Sequence, residues 1–159
     1  MNTTFSNLPE KSLDWLQDLI EINIDSSKGF KEAADNLQDM KEKDLPLESM
    51  FRSLSADRAR QADELQAIVA SNAKKPTESG SVAAAAHRTW MDLRTALGGG
   101  QQAVLSEAER GEDHIKAKYE EALQELGSCP CTQVLRRHYD AVKASHDKVR
   151  DLRDAHAKV

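Results

Sequence analysis

Leu13, Leu16, Ile20, Asn23, Ser27, Phe30, Ala34 and Leu37 follow one another at spacings of three and four, the repeat of a helix that buries one stripe. The pattern predicts a first helix from about residue 10 to 40. Leu47, Phe51, Leu54, Arg58, Gln61, Leu65 and Ile68 keep the same spacing and predict a second from about 46 to 73, with Pro46 suited to its first turn. Leu105, Ala108, Glu112, Ile115, Tyr119, Ala122 and Leu126 mark a third from about 101 to 126, stopped by Gly127. Leu135, Tyr139, Val142, His146, Val149 and Leu152 mark a fourth from about 131 to 157. No segment alternates with the two-residue period of a half-buried strand.

Short links join the first helix to the second and the third to the fourth, so each pair is expected to form an antiparallel hairpin. The second-to-third connection is long. It holds the polar break KKPTESGS, a shorter helix from Val82 to Leu97 capped by Ser81, and the stop Gly98-Gly99-Gly100. The expected fold is therefore all-α, a four-helix bundle of two hairpins joined by a long crossover that carries an extra helix. The hairpins look like copies, since KGFKEAADNL at 28–37 aligns with AKYEEALQEL at 117–126. Residues 1–9 have no stripe to bury and are expected to be a flexible, dispensable N-terminus before a single domain at 10–159.

A length of 159 residues fits one domain. With 22 Lys and Arg against 27 Asp and Glu, the net charge of −5 lacks the positive footprint that nucleic acid requires. The longest apolar run, Val82 to Ala86, is far short of the roughly 20 residues that cross a bilayer, and MNTTFSNLPEKSL does not read as a signal peptide. A cytoplasmic protein without membrane or nucleic-acid partners is expected. Cys129 and Cys131 are too few and too close for a secreted disulfide framework. With no further ligand in sight they read as inert loop thiols, whose joint replacement by Ser should leave stability almost unchanged.

The phrases DLIEINIDSSKGFKEAA, SGSVAAAAHRTWMDLRTAL, ERGEDHIKAKYEEAL and HYDAVKASHDKVRDLRD resemble an uncharacterised bacterial family of ferritin-like four-helix-bundle proteins, a domain-of-unknown-function family. The resemblance spans about Ser12 to Asp154, and a more distant one reaches ferritins and rubrerythrins. The nearer resemblance implies the fold and no established activity; the distant one implies a bundle in which each hairpin supplies a Glu and a Glu-x-x-His to a di-iron centre.

This chain departs from that ligand pattern. Lys143 stands three residues before His146, Leu135 three before His138, and the second helix has no histidine. Through the internal repeat Glu112 corresponds to Asn23 and His146 to Ala62, so half of the ligand set is neutral. Arg58 falls at the same level, where its guanidinium would repel a dication and pair with Glu112. No catalytic residue, cofactor or metal is expected. Glu112, His146, Glu21 and Glu109 are weak candidates for iron or manganese, with Asp25, Glu64 and Asp113 flanking the stripes. The expected alternative is a buried polar layer of Asn23, Arg58, Gln61, Glu112 and His146, in which Arg58 balances Glu112 and His146 donates to it. His87 and Trp90 of the crossover helix read as packing residues.

The function expected is that of a non-enzymatic bundle, a structural or interaction protein with a stress association implied only by fold analogy. The alternative is a di-iron or di-manganese oxidase or peroxidase. Bundles of this kind often self-associate, so a homo-oligomer or an unidentified protein partner is compatible with the sequence.

Overall fold

The computed structural model describes residues 5–38, 45–80 and 101–157. Four helices make up the described chain: α1 (Glu10–Gln38), α2 (Leu45–Ser71), α3 (Gln101–Leu126) and α4 (Thr132–Ala157). The sequence-predicted crossover helix, with His87 and Trp90, lies outside the described residues. Among those described there is no strand, and no helix is long and apolar enough to cross a membrane.

Local chemistry sets the helix ends. The Pro9 carbonyl accepts the Leu13 N–H at 3.1 Å, opening α1 directly after the proline. Pro46 sits in the first turn of α2, where its missing N–H leaves no intrahelical bond unmade. Gly127 closes α3 with φ of +55°, a left-handed conformation in which a side chain would be strained. Thr132 Oγ1 then donates to the Gly127 carbonyl at 2.9 Å and ties the turn to the start of α4.

Contacts across the bundle fix its topology. Ser27 pairs with Ser55 and Asp35 with Arg52, so α1 and α2 are antiparallel. Glu112 meets Ser145 and Tyr119 meets His138, so α3 and α4 are too. Asn23 with Tyr119 and Lys11 with Glu125 set α3 antiparallel to α1. It follows that α2 and α3 run in the same direction, so the end of α2 and the start of α3 lie at opposite ends of the bundle. The segment that leaves α2 is held by Gln17 Nε2 donating to the Lys75 carbonyl at 2.9 Å, and by Gln66 Nε2 donating to the Thr77 carbonyl at 2.7 Å.

The core has two parts. One end gathers Leu13, Leu16, Ile20, Leu65, Ile115, Tyr119, Leu135 and Val142, and the other gathers Phe30, Leu37, Phe51, Leu54, Leu105 and Val149. All four helices contribute to each. Arg58 of α2 and Glu112 of α3 lie between these ends, each flanked along its helix by residues of both cores.

Two expectations need correction. Residues 5–9 are packed: Leu8 is buried in the first core, Phe5 rests against it, and the Leu8 N–H donates to Asn72 Oδ1 at 2.8 Å. A segment without a helical stripe is thus held by hydrogen bonds to the end of α2. Cys131 is also a core residue with no exposed surface, since α4 begins in the same turn and points its first residues inward.

Candidate functional site

All five residues expected to form a polar layer are buried: Asn23, Arg58, Gln61, Glu112 and His146. Each stands where its neighbours three and four positions away are mostly apolar, so the helical repeat turns it inward. They do not form one network. They divide among three groups.

The first group is an ion pair in the bundle centre. Arg58 Nη2 donates to Glu112 Oε2 at 2.7 Å and Oε1 at 3.0 Å, with both side chains at most 1% exposed. It also reaches Ser145 Oγ at 2.7 Å, and Nη1 reaches Gln61 Oε1 at 3.4 Å. The Ser145 hydroxyl can donate to Glu112 Oε2 or to the Val142 carbonyl. The expected donor, His146, is not in this group. Ser145 takes the role because the α3–α4 register sets it opposite Glu112, while the next residue is rotated by about 100° about the helix axis.

The second group runs from α1 through α3 to α4. Asn23 Nδ2 donates to Tyr119 Oη at 2.7 Å and to the Leu19 carbonyl at 2.8 Å. Tyr119 Oη lies 3.0 Å from His138 Nδ1, and His138 Nε2 lies 3.6 Å from Glu64 Oε2. Burial pushes the Tyr119 phenol well above its ordinary pKa and the His138 imidazole below its own. Neutral forms of both therefore fit the interior. The buried position of His138 was not legible in the sequence, because Tyr139 fits the apolar repeat equally well. In the fold the Tyr139 hydroxyl turns outward to donate to Glu120 at 2.9 Å.

The third group lies on the flank shared by α3 and α4. His146 Nε2 is 2.5 Å from Asp113 Oδ1 and 3.7 Å from Glu109 Oε1, and Nδ1 is 3.1 Å from Asp147 Oδ1. Arg153 pairs with Glu109 Oε2. Hydrogen bonds from Lys143 and then His146 hold Asp147 down to about 2.

The remaining candidates are dispersed. Glu21 and Asp25 are half-buried on α1, and Glu64 is engaged by Arg137 on α4. The two free thiols lie 2.6 Å apart, and burial, then the hydrogen bond with Cys129, pushes Cys131 up to about 12. A thiol so resistant to ionisation is a poor nucleophile near neutral pH.

A carboxylate-bridged di-iron centre, which the resemblance implies, does not fit these residues. Its place at mid-bundle holds a guanidinium already bound to Glu112, and the positions that the internal repeat pairs with Glu112 and His146 are the neutral Asn23 and Ala62.

Comparison with known proteins agrees with the architecture. A family profile described as "Domain of unknown function (DUF2383)" matches residues 11–125. A solved structure of a Dps1 mutant from Mycobacterium smegmatis matches with a TM-score of 0.73 at 20% identity, covering 91% of this chain and 98% of that one. At that identity the likeness establishes a shared ferritin-like bundle fold. No curated protein matches the chain.

Proposed function

The chain belongs to the DUF2383 family, and from that premise we propose that it is a ferritin-like bundle working as a structural or interaction protein, with an ion pair in place of a di-iron centre. The observation that supports this reading is the Arg58–Glu112 pair. A dinuclear site needs several inward carboxylates to offset two dications. Here the central carboxylate is already met by the positive charge of the Arg58 guanidinium. A second dication at that level would meet uncompensated positive charge in a poorly screened interior. The bundle then acts through its surfaces, with a second copy of itself or a protein partner.

The competing reading, a di-iron or di-manganese oxidase or peroxidase, is favoured by the Glu109, Asp113 and His146 group. That group draws no ligand from α1 or α2. Aerobic addition of Fe(II) separates the readings. A structural bundle leaves iron oxidation at the rate of buffer alone. Protein-dependent oxygen consumption with about two irons retained per chain, lost in Glu112→Gln, would establish the oxidase instead.

A further inference from the structure

We propose that Glu109, Asp113 and His146 form a mononuclear site for a divalent first-row transition-metal ion on the α3–α4 flank. This goes beyond the reading above, because the site is separate from the bundle centre and draws on one hairpin only. One donor atom from each residue lies within 4.8 Å of the other two, the one such group among the described residues. An ion with bonds of about 2.0–2.2 Å to nitrogen and oxygen sets adjacent donors about 3.0–3.4 Å apart. His146 Nε2 stands 2.5 Å from Asp113 Oδ1 and 3.7 Å from Glu109 Oε1, so the first distance must open slightly and the second close. Asp113 can make its share of that adjustment freely, since its side chain is 60% exposed.

The surroundings orient the donors. Glu109 and Asp113 are four apart on α3, which stacks both carboxylates on the face toward α4. Behind the ring, His146 Nδ1 meets Asp147, and Asp147 is itself held by Lys143 at 2.9 Å and Arg150 at 3.4 Å. With Asp147 on its Nδ1 side, the ring turns Nε2 toward the carboxylates of Asp113 and Glu109. A cation set among these three groups would be coordinated by Nε2 and both carboxylates, with Asp147 as the carboxylate that fixes the ring from the far side. Arg153 prepares Glu109 in the same way. By holding Oε2 it leaves Oε1 toward His146. One imidazole with two carboxylates suits a transition-metal dication better than Ca²⁺, which takes six to eight oxygens. Three protein ligands leave further positions for water, and exposed Asp113 marks the entry path.

Titration of the full chain with Co²⁺ tests the site through the visible d–d bands of the bound ion. Expected are saturation at one ion per chain, no thiolate charge-transfer band, and a rise in melting temperature with Co²⁺. His146→Ala should abolish the bands. Asp147→Asn, which alters only the group behind the ring, should weaken binding about 10–100-fold. Asp113→Asn changes a side chain that is mostly exposed, and should weaken binding by about tenfold or more. Undiminished binding in both His146→Ala and Asp113→Asn, a sulfur charge-transfer band, or no uptake by the parent chain would each overturn the proposal.

Discussion

Arg58 keeps its charge inside the bundle because Glu112 and Ser145 meet it there. Glu112→Ala should therefore destabilise by about 3 kcal/mol, since it leaves a desolvated guanidinium without its counter-charge. Urea unfolding reads this directly, and a variant as stable as the parent would refute it. His138 supplies a second residue-scale prediction. Burial lowers its pKa, partly opposed by Glu64, so below about pH 6.5 the unfolded chain binds a proton that the folded chain resists. Stability should fall as pH drops through that window, and His114, also lowered by burial, adds in the same direction. His138→Gln should shrink the loss between about pH 7.5 and about pH 5.5. An unchanged loss would mean that other groups cause it. The inward positions of Asn23, Arg58, Gln61, Glu112 and His146 were legible because helical phase alone decides them. Their partners were not. Ser145 and His146 differ by one residue yet face different groups, and no apolar stripe resolves phase that finely.

At the scale of elements, the segment at 5–9 behaves as a strap over the end of α2. Asn72 serves it from both sides, accepting from the Leu8 N–H and donating Nδ2 to the Phe5 carbonyl at 2.5 Å. Asn72→Ala leaves a backbone donor and acceptor without partners, at about 1–3 kcal/mol. Leu8→Ala removes a buried side chain from the first core and should cost about 2 kcal/mol or more. Equal melting temperatures for parent and Leu8→Ala would show that the strap is idle. The α3–α4 turn makes a parallel case. Cys131→Ser puts a hydroxyl where the thiol is fully buried, a cost of about 1–3 kcal/mol, while half-buried Cys129 should tolerate Ser with a smaller loss. Helix boundaries were readable to within about two residues because Pro9, Pro46 and Gly127 punctuate them chemically. The strap and the buried thiol were not, since both owe their order to contacts with sequence-distant residues.

For the whole molecule, the arrangement of polar and apolar layers decides more than any single contact. Two apolar cores lie toward opposite ends, each built from all four helices, with the Arg58, Gln61, Glu112 and Ser145 cluster between them. The four helices and their hairpin pairing were legible from spacing and link length. The division of the core was only half visible, because the repeat showed polar residues on the stripe without showing what they fasten. Apolar ends alone specify axial position weakly, since a helix displaced by one turn, about 5.4 Å, still presents Leu, Ile and Phe to its neighbours. The ion pair matches at one register only, because Arg58 on α2 must reach Glu112 on α3 and Ser145 on α4 together. Replacing the cluster as a unit, with Arg58→Met, Gln61→Leu, Glu112→Leu and Ser145→Ala, removes both the charges and their desolvation cost. The variant should unfold at a denaturant midpoint equal to or above that of the parent, and well above that of Glu112→Ala. If the pair also fixes register, the same variant should show broadened amide resonances along α2 and α3 despite its stability. A midpoint below that of Glu112→Ala would mean that the cluster contributes net stability, and sharp parent-like resonances would mean that the apolar ends hold the register unaided.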